Sequence, residues 1–202
     1  MRILFIFIIL LFNIQLIAQD TLVSTGKKWY IPSILRVQYA GEIGMLSAGP
    51  TWLFSKKRLE LSYSLGFVPE FAGGKNIFVT ALKFEYTPTS KWDIRLSEKI
   101  KLKPLSVGAF VSHTFGDTYN KYRDSKQYPK GYYWWNTVYR IGITYKAELC
   151  YTIQNKWVDK IGLYYEVGTL DLFIMSRWDN GNNQVVNLYS ILFMSLGTKV
   201  YF

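Results

Sequence analysis

The chain is poor in the residues on which many catalytic and metal sites depend. It has one cysteine, Cys150, and one histidine, His113, among 202 residues. A lone cysteine excludes a disulfide scaffold, and no group of residues has the spacing of a zinc site. Walker, dinucleotide-binding and Gly-x-Ser-x-Gly motifs are also missing. We therefore expect no metal and no cofactor.

Long hydrophobic runs are missing beyond the N-terminus. No later segment approaches the roughly 18 consecutive apolar residues of a membrane-spanning helix, which excludes a helical membrane protein. The apolar run at residues 3–12 is too short to span a bilayer and follows the basic Arg2, as in a secretory signal peptide. We expect a signal peptide over residues 1–18, cleaved after Ala18, and one domain over residues 19–202. An uncleaved N-terminal anchor is the alternative.

Positive charge and aromatic side chains are in excess. The chain has 24 Lys and Arg against 14 Asp and Glu, together with 16 Tyr, 13 Phe and 7 Trp. Half of the residues are hydrophobic, which excludes disorder. The basic residues are spread over strands, turns and loops of a chain that is predicted to be exported, so nucleic acid is not an expected partner.

Alternation of apolar and polar residues dominates the domain. In residues 58–67, Leu59 and Leu61 share one face while Glu60 and Ser62 take the other. A period of two is typical of β-strands. Eight such segments follow one another, at residues 33–43, 45–54, 58–68, 77–87, 101–115, 134–148, 160–173 and 188–202.

The connections between these segments alternate between short turns and longer polar loops, which is the pattern of an up-and-down transmembrane β-barrel. Two places depart from it. Residues 92–103 are too many for a turn, and we expect them to extend the fifth strand. Asp171 breaks the alternation of the seventh strand, where we expect a bulge or the end of the strand.

The two faces of the strands indicate what the barrel encloses. One face carries large apolar and aromatic residues, and the other mixes glycine, serine and charge. A soluble ligand-binding barrel would turn the apolar face inward, whereas a membrane barrel turns it toward lipid and fills its interior with small and paired polar side chains. The expected interior charge network consists of Arg36, Glu60, Lys83, Glu85, Arg140, Lys146, Glu148, Glu166 and Lys199.

The strand ends favour the membrane. Tryptophans lie near the predicted turns and loops, as interfacial aromatic girdles require. The last strand alternates up to a terminal Phe202, which resembles the signal that the barrel-assembly machinery recognises during insertion.

Three stretches carry a family resemblance: VQYAG at residues 37–41, YPKGYYW at 128–134 and YEVGTLDL at 165–172. They look like an uncharacterised family of small outer-membrane barrels of Gram-negative bacteria, with the architecture of the OmpA and OmpX type. The resemblance covers nearly the whole domain. It implies an all-β, eight-stranded antiparallel up-and-down transmembrane β-barrel in the outer membrane, and it carries no activity that transfers to this chain.

The loop between the fifth and sixth strands is the main candidate for binding. Its basic and aromatic side chains suit the anionic phosphates of lipopolysaccharide, although a protein partner, a glycan or a loop without a ligand remain alternatives. The candidate residues are Lys121, Arg123, Lys126, Lys130, Tyr132 and Trp134.

His113 is the one candidate catalytic residue. Outer-membrane lipid A deacylases resemble its setting, with a His-x-Ser-Asn motif that faces the outer leaflet. Here Thr114 and Phe115 follow the histidine, and the preceding Ser112 is expected on the opposite face of the strand. We therefore expect a structural or interaction role in the outer membrane. The alternatives are a lipid A esterase, a secreted soluble barrel that binds a small apolar ligand, and a narrow channel.

Overall fold

The computed structural model describes residues 29–55, 58–88, 92–116, 138–153, 155, 157–179 and 188–202. In these ranges the chain forms β-strands, two α-helices and a short 3-10 helix at Leu188–Ile191. The helices are α1 (Glu70–Gly73) and α2 (Asp171–Asp179). The strands are β1 (Ile34–Tyr39), β2 (Leu46–Phe54), β3 (Leu59–Val68), β4 (Ile77–Tyr86), β5 (Ile94–Arg95), β6 (Ile100–Phe115), β7 (Tyr139–Thr152), β8 (Lys160–Leu170) and β9 (Phe193–Tyr201).

Eight of these strands close into one antiparallel barrel. Hydrogen bonds connect them in the order β4-β3-β2-β1-β9-β8-β7-β6, and a pairing of β4 with β6 completes the ring. The closing register places Tyr86 opposite Val107, and the first and last strands meet with Ile34 opposite Tyr201. The predicted eight-stranded antiparallel barrel is confirmed.

Several predicted strand bounds need correction. The first strand ends at Tyr39 rather than 43, because Ala40, Gly41 and Gly44 take positive φ angles of 61°, 87° and 136° and form the turn into β2. The sixth predicted strand continues past 148 to Thr152. The last one begins at Phe193 rather than 188, since a 3-10 helix precedes it.

Of the two irregularities expected from the sequence, the second is present as predicted and the first only in part, since only residues 100–103 extend the fifth predicted strand. Residues 92–103 form a hairpin, in which the short β5 pairs with the start of β6 by placing Ile94 opposite Leu102. The register of β6 against β7 shifts at a bulge between Lys103 and Ser106, but β6 pairs with β7 on both sides of it, so the hairpin continues the barrel wall downward. Strand β8 ends at Leu170, and Asp171 begins α2.

We call the end of the barrel that carries Ile34 and Tyr201 the lower end, and the end that carries the β1–β2 turn and Leu170 the upper end. Near the upper end the interior is apolar, and Phe110 and Phe193 pack there edge to face with ring centroids 6.1 Å apart. Further buried apolar side chains surround this pair: Ile43, Val79, Ala81, Val138, Leu170 and Ile191. Below this layer the interior is polar and charged.

Candidate functional site

The interior below the apolar layer contains a network of four acidic and four basic side chains. Each of them has 3% or less of its side chain exposed. An eight-stranded barrel is just wide enough for side chains to fill it, so these groups meet across the interior. The members are Arg36, Glu60, Lys83, Glu85, Lys146, Glu148, Glu166 and Lys199.

Arg36 organises the upper part of the network. Its guanidinium pairs with Glu85 and lies 2.9 Å from Glu166, which also pairs with Lys83. Its Nε donates a hydrogen bond of 2.7 Å to the hydroxyl of Tyr164. That hydroxyl donates in turn to the side-chain carbonyl of Gln38, at 2.9 Å. Because a planar guanidinium has five donors, one side chain can hold two carboxylates and a phenol at once.

Lysines connect the carboxylates of the lower part. The Nζ atom of Lys146 lies 2.9 Å from Glu85 Oε1 and 3.5 Å from Glu60 Oε2. Lys199 pairs with Glu60 and lies 3.5 Å from Glu148 Oε2. The other oxygen of Glu148 accepts hydrogen bonds from the hydroxyl of Tyr201 and, at 3.2 Å, from the thiol of Cys150.

Glycines on the interior face make room for the largest members. A Cβ at Gly162 would collide with the carboxylate of Glu148, and one at Gly197 would collide with the ring of Tyr164. These two glycines lie opposite Lys199 and Tyr164 in the β8–β9 register. Small residues across from long ones therefore allow charged side chains to cross the interior.

The network connects strands that are distant in sequence. Its charges come from β1, β3, β4, β7, β8 and β9. Removing an ion from water costs several kcal/mol, and the attraction to partners offsets this only when the geometry is good and the remaining polar atoms are hydrogen-bonded. Every charged group of the network has at least one ion-pair partner within 4.0 Å. The arrangement can thus hold the barrel wall together from inside.

The structure places eight of the nine predicted network residues together. The ninth, Arg140, faces the same side of β7 but lies nearer the upper end, where its Nη1 is 4.0 Å from Asp171 Oδ2. The apolar layer around Phe110 explains the separation, because Phe110 pairs with Gly142, between Arg140 and Lys146 on β7. The predicted network did not include Gln38, Tyr164 and Tyr201. The alternation had already assigned Gln38 and Tyr164 to the charged face, whereas Tyr201, which is in phase with Lys199, was missed.

Glu42 lies in the β1–β2 turn at this upper end. Burial raises the pKa of its carboxyl above the usual 4.5, and the positive charge of Arg140 opposes that shift in part. The upper end thus carries titratable groups of its own, apart from the network below.

The outer face of the barrel is apolar. Large side chains point outward along the strands, and Leu65 and Leu163 are 61% and 58% exposed. A concavity of about 570 Å³ lies on this outer face, across β1 and β7–β9. Its lining includes Val37, Leu149, Leu163 and Leu196.

His113 belongs to this outer face as well. Its ring packs between Phe115 and Tyr139, with centroids 4.5 and 4.9 Å away. Ser112 is buried on the opposite side of the strand. The structure therefore does not bring a serine and the histidine together in this stretch of β6.

Several predicted residues fall outside the described ranges. These are the signal peptide at residues 1–18 and the loop residues Lys121, Arg123, Lys126, Lys130, Tyr132 and Trp134. Phe202 is described and closes the last strand at the lower end, where its N–H donates to the carbonyl of Ser33 at 2.9 Å.

In comparisons with known proteins, the chain matched no family model, no curated protein and no solved structure. The structure supports the resemblance to small outer-membrane barrels at the level of the eight-stranded antiparallel barrel. Membership of a family stays a prediction. Within the described ranges, neither α1 nor α2 has the length and apolar character needed to span a membrane.

Proposed function

We propose that this chain is an integral outer-membrane β-barrel with a structural or interaction role. The proposal is supported by the distribution of side chains, which is the inverse of that in a water-soluble protein. Large apolar residues point outward, and ion-paired acids and bases fill the interior. This distribution suits a lipid environment and is unfavourable in water.

The apolar outer face gives the proposal its energetic basis. Leaving one Leu or Phe side chain in water rather than in an apolar medium costs about 1.5–3 kcal/mol. On this barrel such side chains occur on strand after strand, including Leu35, Phe78, Leu82, Phe84, Leu163 and Leu196. Acyl chains covering this face would remove that cost.

Closure of the sheet fits the same environment. Backbone groups in lipid must all be paired, and among sheets only a closed barrel satisfies this. The first strand begins and the last strand ends at the lower end, so that end would face the periplasm. The longer loops would then lie outside the cell. The predicted signal peptide and the terminal Phe202 support this export route and insertion by the barrel-assembly machinery.

The interior argues for a structural role over the alternatives. A carrier of apolar ligands needs an apolar cavity inside, whereas this interior holds eight buried charges in mutual contact. A channel needs a continuous open path, and the network and the Phe110 layer both occupy the lumen. An esterase needs a nucleophile in hydrogen-bond contact with its base, and Ser112 points away from His113.

An interaction role would fall to the loop predicted from the sequence at residues 116–133. Basic and aromatic side chains there suit the phosphates of lipopolysaccharide, with a protein or glycan as other partners.

Heat modifiability and fractionation test the proposal together. We expect the protein in the outer-membrane fraction, resistant to carbonate extraction, and running faster on a gel when it is left unboiled. Purification from the soluble periplasm without detergent would contradict the proposal. Insertion with steady single-channel conductance would replace the structural role with transport.

A further inference from the structure

At the lower mouth, by which we mean the lower end of the barrel interior, positive side chains outnumber negative ones. In the network above it the two numbers are equal. The four buried carboxylates are matched in number by Arg36, Lys83, Lys146 and Lys199. Three more lysines continue the interior faces downward. Lys101 is paired with Asp93 at 2.6 Å, which leaves Lys103 on β6 and Lys160 on β8. They bring two positive charges beyond the number of interior carboxylates.

Both additional ammonium groups gather around one aromatic ring. The Nζ of Lys160 lies 3.9 Å from the centroid of the Tyr201 ring, and that of Lys103 lies 5.6 Å from it. The two cations thus lie near the same ring. Like charges repel each other, and a single aromatic ring offsets only a small part of this repulsion.

Glu148, the one carboxylate within 4.0 Å of Lys103 among the described residues, already has other partners. Glu148 Oε2 lies 3.8 Å from Lys103, but it also faces Lys199 at 3.5 Å and Lys146 at 3.9 Å. Its Oε1 accepts from Tyr201 and Cys150. Lys160 has no ion-pair partner within 4.0 Å among the described residues, and its neighbour Asp159 is exposed on the other side of the strand.

Access to the two lysines is open in part. The side chain of Lys103 is 14% exposed, whereas that of Lys199, deeper in the interior, is 0% exposed. Each ammonium has three N–H donors, more than one aromatic ring can accept, so each keeps donors for a further acceptor.

We propose that this lower mouth is a binding site for a phosphate-type oxyanion, held between Lys103 and Lys160 over the ring of Tyr201. A doubly charged phosphate matches the two additional cations in number and offers acceptors to both. Free phosphate, a phosphate monoester and a lipid headgroup share this chemistry.

Titration of the full mature barrel in zwitterionic micelles tests the site. Lysine amines carrying 13C-methyl labels report on each position, and the signals of Lys103, Lys160 and Lys99 are assigned from single Lys→Gln variants. One arm adds inorganic phosphate and a second adds short-chain phosphatidic acid. The titrant that saturates at the lower concentration shows whether the bound oxyanion is free phosphate or a lipid headgroup.

We expect the signals of Lys103 and Lys160 to shift and saturate together in at least one arm. Lys160→Gln should weaken binding roughly tenfold, as the loss of one charged hydrogen bond predicts, and Lys160→Arg should restore it. Lys99→Gln is the matched control, since Lys99 is an exposed lysine at the same end, and it should leave binding unchanged.

Three results would overturn the site: shifts that stay linear in both arms, equal shifts at Lys99, or binding that survives in a folded Lys103→Gln, Lys160→Gln double variant. Heat modifiability on a gel confirms that each variant is folded. The site is independent of the proposed membrane location, because the same titration can be run on a barrel that needs no detergent.

Discussion

Replacing Glu166 by glutamine tests the interior network at its most sensitive point. Glu166 is the one carboxylate within 4.0 Å of Lys83 among the described residues, and it also pairs with Arg36. Gln at this position leaves the ammonium of Lys83 buried and uncompensated. Removing one partner of a buried ion pair costs about 3–5 kcal/mol, so we expect Glu166→Gln to lose free energy of unfolding in this range.

Glu60→Gln provides a graded comparison within the same network. Its partners keep other carboxylates, since Lys146 stays 2.9 Å from Glu85 and Lys199 stays 3.5 Å from Glu148. We therefore expect a smaller loss than for Glu166→Gln. A Glu166→Gln, Lys83→Met double variant should recover much of the stability, because replacing both partners of a buried pair by neutral groups is often close to neutral.

The assay is equilibrium urea unfolding of the refolded barrel in lipid vesicles, followed by tryptophan fluorescence. We expect the free energy of unfolding to decrease from wild type to Glu60→Gln and again to Glu166→Gln. The double variant should be more stable than Glu166→Gln. A Glu166→Gln variant within about 0.5 kcal/mol of wild type, the range of ordinary surface substitutions, would refute this expectation. So would a double variant less stable than the single one.

Three further predictions concern other parts of the barrel. Leu163→Arg, on the apolar outer face of β8, should lower the free energy of unfolding in vesicles by up to about 2–4 kcal/mol, the cost at the bilayer midplane, whereas a water-exposed site would change within about 0.5 kcal/mol in the same unfolding assay. His113→Ala should leave lipid A acylation unchanged by mass spectrometry, and loss of an acyl-chain modification would restore the esterase alternative. Because burial raises the pKa of Glu42, its favourable contribution is present below its unfolded pKa and lost as pH rises through its folded pKa. Glu42→Gln should therefore be more stable than wild type at neutral pH, and the difference should vanish below about pH 4.5; a constant difference across pH would contradict this.

Alternation in the sequence was enough to predict the strands and their faces. Residues such as Glu60 and Lys83 could be assigned to the interior because a period of two fixes the side of the sheet on which each side chain lies. Strand number and antiparallel order followed from the turns. The end of the seventh strand was visible in the broken phase at Asp171.

Pairing within the interior could not be predicted in the same way. Which carboxylate meets which base depends on the stagger of strands around the closed barrel, and that stagger is set by every turn together. Arg140 was placed in the network because its face is correct, but its height along β7 puts it beyond Phe110. The hydrogen bonds of Tyr164 and Tyr201 could not be predicted for the same reason, although both residues alternate in phase with the charged residues of their strands.

Fluorescence quenching by brominated lipids shows whether the apolar outer face of the barrel lies in lipid. A bimane label is attached in a Cys150→Ala background, either through Leu163→Cys on the outer face or through Gly74→Cys at the turn after α1. The account predicts strong quenching at position 163 by bromines on the acyl chains and little quenching at position 74. Equally weak quenching at both positions, with the protein folded, would show that the outer face does not lie in lipid and would contradict the account.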